Sequence, residues 1–138
     1  LNLSRSRFWG IPIPIWRTED GSEELCIGSV EELKKAIEAS LNAGIMKENP
    51  LGNFVPGDMS KANYDSFDLH KNYMDNVVLV SPKGKQMQCE QDMIGVWFDS
   101  GAMRYSPWHY PFENKDKIYD GTAIPADLIE ECVDQIRG

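Results

Sequence analysis

The sequence predicts an α/β fold (α+β in the isolated piece) with a short mixed sheet, one capped helix and long loops. Three observations support this: an amphipathic helix pattern at residues 30–43, short apolar runs of strand length, and stretches rich in Gly, Pro, Asn and Asp between them. With 138 residues, of which 41% are hydrophobic, the chain fits one domain or a fragment of a larger one.

The first element is the segment Ile-Pro-Ile-Pro-Ile-Trp at residues 11–16. Proline at alternate positions removes two backbone donors, which excludes a central strand. We expect an extended edge or polyproline-like segment that places three side chains on one face: Ile11, Ile13 and Ile15. The apolar run at residues 25–27 is predicted to pair back onto residues 13–16.

The helix signal that follows is the strongest local pattern in the chain. Ser29 and Glu32 have the spacing of a capping box. Apolar residues then recur at helical spacing: Val30, Leu33, Ile37 and Leu41. Gly44 suits the left-handed position after a helix, so the pattern predicts a helix over residues 30–43.

The middle of the chain predicts a loop and a hairpin. Residues 49–63 are rich in Gly, Pro, Asn and Asp and are predicted to be loop. The apolar run at residues 77–80 predicts a buried strand, and the turn at residues 82–84 allows residues 85–89 to return beside it.

The last third predicts an aromatic loop and one more strand. We expect a long loop from Trp97 through Phe112, and a strand at residues 124–129 leading to a helix that begins near Asp134. Ligands of open α/β sheets bind at the carboxyl ends of strands, so Glu130, Glu131 and Asp134 could hold ribose hydroxyls or an ammonium group there. Pattern alone favours the simpler interpretation, that Glu131 and Asp134 only stabilise a helix N-terminus.

Charge and cysteine usage exclude several classes of function. The formal charge is −8, from 22 acidic and 14 basic residues, so this piece by itself is not expected to bind nucleic acid tightly. No CxxC spacing exists, and we expect free thiols in a reducing cytosol at Cys26, Cys89 and Cys132. No apolar run is long enough for a membrane span and no signal-peptide pattern exists, so a cytoplasmic location is expected.

The remaining polar residues give no catalytic or metal motif. His70 and His109 have no neighbour at ligand spacing, so no metal site is predicted. Trp97 could be a core residue or the wall of an apolar pocket, and composition does not separate the two. Met-Ser-Lys at residues 59–61 is preceded by Asp58 and is interpreted as part of a turn.

Three segments resemble isoleucyl-tRNA synthetases, in the order and spacing of that family. They are LSRSRFWGIPIPIW at residues 3–16, VWFDSG at residues 96–101 with WHYPFEN at 108–114, and PADLI at 125–129 with ECVDQIRG at 131–138. Together they span almost the whole chain, whereas any one alone would leave valyl- or leucyl-tRNA synthetases open.

The resemblance implies a Rossmann-type catalytic domain interrupted by a small connective insertion. Residues 1–17 would return the chain to that domain after the editing insertion, residues 18–93 would form the connective insertion, and residues 94–138 would belong to the catalytic core. The family activates isoleucine with ATP and Mg²⁺ and transfers it to tRNA, which implies isoleucine, ATP and tRNA as partners.

The resemblance also implies roles for four residues. Glu131 matches a glutamate that contacts the aminoacyl-adenylate, Asp134 and Gln135 match the neighbouring pair, and Trp97 matches a wall of the isoleucine side-chain pocket. The chain departs from the family at Cys132, where glycine allows close approach of the nucleotide. A second departure places glycine at position 95, where the family has aspartate.

These observations predict an internal fragment that is inactive alone. The His-x-Gly-His and Lys-Met-Ser-Lys-Ser elements are not in these residues, and the leucine at position 1 and the ending at Gly138 lead us to expect a longer parent. A stand-alone interaction module derived from a synthetase is the alternative. Another small-molecule-binding α/β domain would be expected to carry a glycine-rich loop, which the sequence lacks.

Overall fold

The computed structural model describes residues 4–6, 10–128 and 130, which form two compact units, unit 1 (Leu1–Gly95) and unit 2 (Val96–Gly138). The elements of unit 1 are β1 (Ser4–Arg5), β2 (Ile15–Thr18), β3 (Glu24–Cys26), α1 (Val30–Asn42), α2 (Lys61–Tyr64), α3 (Lys71–Met74), β4 (Leu79–Val80), β5 (Gln86–Cys89) and β6 (Met93–Ile94). Those of unit 2 are α4 (Val96–Ala102), a 3₁₀ turn (Ser106–Trp108) and α5 (Lys115–Tyr119).

A four-stranded sheet in the order β3-β2-β5-β4 organises unit 1, and a second, two-stranded sheet pairs β1 with β6. All of these pairs are antiparallel. The predicted mixed sheet is therefore wrong for the described residues, because short connections such as the β4–β5 turn can join only antiparallel neighbours. The two predicted strand pairings are confirmed, residues 13–16 with 25–27 and residues 77–80 with 85–89.

Helix α1 forms where the sequence predicts it. The Ser29 hydroxyl accepts from the Glu32 backbone N–H at 3.1 Å, and the Glu32 carboxylate accepts from the Gly28 N–H at 2.7 Å. At the other end Gly44 has φ +72° and donates to the carbonyl of Leu41, while Ile45 donates to the carbonyl of Ser40. Both helix ends therefore have partners for backbone groups that the helix itself leaves unpaired.

The core of unit 1 lies between α1 and one face of the sheet. Alternate residues of the central strands face it, with Trp16 beside Cys89 and Thr18 beside Met87 in the antiparallel register. Leu33 and Ile37 of α1 are 3% and 0% exposed against this face. Burial of each such aliphatic side chain contributes about 1.5–3 kcal/mol, which stabilises α1 on the sheet.

The proline-rich segment takes a different face from the predicted one. Ile11 is 44% exposed, whereas Pro12 and Trp16 are buried. Pro12 forms a bridge with Met93, and β2 begins only after Pro14. The strand occupies the centre of the sheet because it starts beyond the last proline, where every residue again has a backbone donor.

Unit 2 contains a helix where the sequence predicts a loop, and it contains no strand in residues 96–128. Helix α4 covers the predicted start of the aromatic loop. The predicted strand at residues 124–129 is wrong for its described residues 124–128, which form bends around a cis Ile124-Pro125 peptide bond. A strand needs a neighbouring ladder, and Pro125 has no N–H to donate to one.

No helix among the described residues combines the length and apolar character required to cross a membrane.

Candidate functional site

Only one of the four predicted site residues lies in the described part of the chain. Trp97 belongs to the first turn of α4. Glu131, Asp134 and Gln135 lie outside the described residues. The predicted grouping of these residues in one pocket therefore stays a prediction.

Helix α4 is short and lies on the surface. It has seven residues, with Asp99 in its first turn, where a carboxylate interacts favourably with the helix dipole. Val96 and Phe98 are 56% and 53% exposed, and Asp99 and Ser100 are exposed as well. An isolated helix of this length is marginal in water, so α4 depends on contacts beyond its own turns.

Several aromatic rings contact one another in the segment that follows α4. The rings of Tyr105 and Tyr110 are 5.6 Å apart between centroids, and Tyr110 meets Tyr119 edge to face at 6.3 Å. The hydroxyls of Tyr110 and Tyr119 are 3.2 Å apart, and this hydrogen bond raises the pKa of Tyr110. The segment therefore carries a connected set of tyrosines at the surface.

Trp108 and its neighbours in sequence make a cation–π contact and several polar contacts. Lys117 Nζ lies 5.3 Å from the centre of the Trp108 ring, within the range of a cation–π interaction. The Asn114 side-chain amide donates to the Trp108 carbonyl at 3.1 Å, and His109 Nδ1 lies 3.4 Å from the Glu113 carboxylate. His109 and Asn114 both have positive φ, 52° and 51°, so the turn between them is tightly bent.

The segment at residues 121–128 lies beside α5. Ala123 donates its backbone N–H to the carbonyl of Lys117 at 2.8 Å, and Asp120 accepts from the Thr122 N–H at 2.8 Å. The Thr122 hydroxyl and, secondarily, this backbone bond hold the pKa of Asp120 below its ordinary value. Arg104 and residues 123–126 line a cavity of about 110 Å³. This volume is too small for a nucleotide, for which pockets of about 300 Å³ or more are typical.

The exposure of the described side chains of unit 2 is the feature that the sequence did not predict. None of its described side chains is buried, although several are large and apolar. In unit 1, by contrast, apolar side chains build a continuous core. The available signal was the high density of aromatic residues. These residues do not recur at helical or alternating spacing, so the pattern does not predict one apolar face that could be buried.

Unit 1 offers an apolar groove of about 220 Å³ next to the proline-rich segment. Its walls come from residues 11–16, from the beginning of α1, and from Leu69 and Met74. No titratable side chain lines this groove, and the hydroxyl of Ser29 in its lining caps α1, so the groove provides mainly apolar contact.

His70 and the Met-Ser-Lys segment make local hydrogen bonds with neighbouring residues. Asp68 Oδ1 contacts His70 Nδ1 and accepts from the His70 backbone N–H, which holds the pKa of Asp68 below its ordinary value. Asp58 accepts from Ser60, and Ser60 caps α2. Among the described residues, no group of three or more His, Cys, Asp or Glu side chains is arranged to hold a metal ion.

The cysteines resolved in the structure are unpaired thiols. Cys26 is exposed, and Cys89 is buried in the core. Burial raises the pKa of the Cys89 thiol to about 11. The prediction of free thiols is confirmed for these two residues, while Cys132 lies outside the described part of the chain.

Comparison with known proteins identifies relatives over the whole chain. The family model described as tRNA synthetases class I (I, L, M and V) matches residues 1–138. The isoleucine–tRNA ligase of Porphyromonas gingivalis is 58% identical over 137 residues, which cover 99% of this chain and 12% of the relative. The isoleucine–tRNA ligase of Bacteroides thetaiotaomicron is also 58% identical, over 139 residues with the same coverage.

More distant relatives carry the same name. The isoleucine–tRNA ligase of Clostridium acetobutylicum is 42% identical over 137 residues, covering 99% of this chain and 11% of the relative. The chain thus spans about 12% of the length of the Porphyromonas gingivalis and Bacteroides thetaiotaomicron relatives.

Proposed function

The chain belongs to the class I tRNA synthetases of the I, L, M and V group, and we propose that it is a segment of an isoleucine–tRNA ligase that contributes to the aminoacyl-adenylate pocket. The observation that carries this proposal is 58% identity over 99% of the chain to proteins named isoleucine–tRNA ligase. The names of these relatives favour isoleucine over the valine or leucine alternative. The complete enzyme would activate isoleucine with ATP and transfer it to tRNA in the cytoplasm.

The strand pairing of unit 1 supports the proposed domain organisation. Residues before and after 18–93 run side by side, because Ser4 pairs with Ile94 and the Ile94 backbone N–H donates to the Ile11 carbonyl at 2.9 Å. An insertion must leave and re-enter its parent domain at neighbouring points, and this pairing provides that geometry. We therefore assign residues 18–93 to a connective insertion, and residues 1–17 and 94–138 to a Rossmann-type catalytic domain.

The proposed pocket uses two kinds of side chain. Trp97 would provide an apolar wall for the isoleucine side chain, and Glu131, Asp134 and Gln135 would contact the polar atoms of the adenylate. An apolar wall separates isoleucine from valine by a single methylene, worth roughly 1–3 kcal/mol. This limited discrimination is consistent with a parent enzyme that also edits its product.

ATP with Mg²⁺ enters this proposal as a substrate of the complete enzyme. The proposal assigns no metal ligand to residues of this chain. The contribution expected from the chain is positional, because transfer of the adenylyl group of ATP to the isoleucine carboxylate requires the attacking carboxylate oxygen, the α-phosphorus and the leaving pyrophosphate to be held in line.

The test measures isoleucine-dependent ATP–pyrophosphate exchange by the complete polypeptide that contains these residues. We expect exchange with isoleucine to exceed exchange with valine or leucine, and Glu131→Gln to lower kcat/KM at least about tenfold by removing a charged contact to the adenylate. Glu48→Gln is the matched control, because Glu48 is exposed in unit 1. Equal activity in both variants would remove Glu131 from the pocket.

The 138-residue chain alone provides the second arm. It is expected to show no exchange, because phosphate binding and transition-state stabilisation need groups that lie in other segments. Exchange above background by this chain would contradict the proposal. The alternative, a stand-alone interaction module, predicts a coding sequence without a His-x-Gly-His element upstream and a Lys-Met-Ser-Lys-Ser element downstream.

A further inference from the structure

Unit 2 exposes large apolar side chains along its whole described length. We propose that this surface is an intramolecular interface, covered in the complete polypeptide by segments outside these 138 residues. The surface is defined by six exposed side chains, Val96, Phe98, Met103, Phe112, Tyr119 and Leu128. The proposal rests on the part of the proposed function that makes the chain a segment of a longer protein.

The exposed fractions of these apolar side chains are higher than expected for a surface that stays in contact with water in the complete protein. Phe112, Tyr119 and Leu128 are 77%, 74% and 81% exposed. Scattered apolar residues are normal at protein surfaces, but a stretch this short rarely exposes so many large ones. These side chains therefore belong to a surface that another structure covers.

The energetics of unit 2 lead to the same conclusion. Ordering each residue costs about 1–2 kcal/mol of backbone entropy, and burial of apolar area is the main term that offsets this cost. Every buried apolar side chain among the described residues belongs to unit 1. The rings of Tyr105, Tyr110 and Tyr119 contact one another while all three side chains stay at least partly exposed, so unit 2 needs external contacts to stay ordered.

The rest of the same polypeptide is the occupant that the observations favour. Most of the length of the related ligases lies outside the region that this chain matches, so ample polypeptide is available to cover the surface. Nucleic acid does not suit this surface, because exposed carboxylates lie among the apolar side chains, at Asp99, Glu113 and Asp116. Residues facing it in the complete protein are expected to be apolar.

Methionine oxidation provides a direct test. Met103 in unit 2 and Met59 in unit 1 have the same exposed fraction, 61%. Oxidation by peroxide depends on the accessibility of the thioether. In the complete polypeptide, we expect Met103 to oxidise at least about tenfold more slowly in the native protein than in concentrated urea, measured by peptide mass spectrometry. Met59 is the internal comparison and is expected to oxidise at nearly the same rate in both conditions.

The outcomes separate this inference from its alternatives. Native protection of Met103 of less than tenfold would overturn the proposal. Protection that disappears on dilution would also overturn it, because a second copy would then be the occupant. Protection of Met103 in the 138-residue chain alone would show that the chain covers its own surface and would contradict an external occupant.

The measurement is independent of the proposed catalytic activity. A complete polypeptide that protects Met103 but shows no isoleucine-dependent exchange would refute the ligase function and leave the interface intact. A complete polypeptide that shows isoleucine-dependent exchange but does not protect Met103 would refute the interface and leave the ligase function intact.

Discussion

The indole Nε1 of Trp16 donates a hydrogen bond to the carbonyl oxygen of Val77 at 2.9 Å, across 61 residues of sequence. Trp16 is 2% exposed and Val77 is 1% exposed, so water cannot replace either partner. The bond connects β2, next to the proline-rich segment, with the residues that lead into β4. The bond thereby joins two parts of the unit 1 core that are far apart in the sequence.

Replacing this tryptophan should destabilise unit 1. Trp16→Phe leaves the buried Val77 carbonyl without its donor, and we expect a loss of about 1–3 kcal/mol in the free energy of unfolding. Trp108→Phe is the control, because Trp108 is only half-buried in unit 2, and it should change the value by less than about 0.5 kcal/mol. Urea unfolding followed by circular dichroism measures both; equal losses would refute the importance of the Trp16 bond.

The capped start of α1 leads to a second prediction. Ser29→Ala removes the acceptor for the Glu32 N–H and should lower the free energy of unfolding by about 1 kcal/mol. Ser29→Asp keeps an acceptor and adds a favourable charge at the helix N-terminus, so it should stay close to the native value. A Ser29→Asp variant as unstable as Ser29→Ala would show that the hydroxyl does not act as a cap.

The Asp20–Lys85 pair predicts a pH dependence. The Lys85 ammonium, together with the hydroxyls of Thr18 and Ser22, holds the pKa of Asp20 well below its ordinary value. Stability from this pair is therefore present at neutral pH and is lost as the pH falls below about 4, toward the lowered pKa. The pair is exposed, so the effect on stability is small.

The direct measurement for this pair is a carboxyl NMR titration of Asp20. Lys85→Met should move the pKa of Asp20 upward, toward the ordinary aspartate value. Lys83→Met is the matched control, because Lys83 is exposed in the same turn, and it should leave the titration unchanged. An unchanged Asp20 titration in Lys85→Met would exclude the ammonium as the main cause.

The two described cysteines should differ in reactivity. Burial raises the pKa of Cys89 to about 11, so its thiolate fraction near pH 8 is about a hundredfold smaller than that of a thiol with a pKa near 9. With Cys132 replaced by serine, alkylation at that pH should therefore modify the exposed Cys26 and leave Cys89 largely intact. Peptide mass spectrometry distinguishes the two sites, and comparable modification would argue against the buried position of Cys89.

Local signals in the sequence predict the structure well where a few neighbouring residues complete the interaction. The Ser29 cap and the Gly44 turn each involve partners within five positions, and α1 ends within one residue of its predicted boundary. The β4–β5 hairpin is equally local, since its turn joins residues that pair directly. In these cases the same residues supply both the signal and the hydrogen bonds.

The predictions of secondary structure are wrong where the structure of a segment depends on residues far away in the sequence. The segment at residues 124–128 has the composition of a strand, yet it forms bends, because no ladder lies beside it in the described chain. Helix α4 starts with three residues of modest helix propensity, Val96, Trp97 and Phe98, and no local pattern predicts it. Of the candidate site, only the backbone position of Trp97 is described, so the pocket itself stays a prediction.

The sequence by itself determined the capped helix and the hairpin. It also indicated the synthetase family, because three segments follow the order and spacing of that family. Only the tertiary structure decided that Pro12 and Trp16 rather than Ile11 face inward, that β2 lies between β3 and β5, and that no side chain described in unit 2 is buried. Caps and tight turns are completed by adjacent residues, whereas burial and strand order depend on side chains that meet from far along the chain.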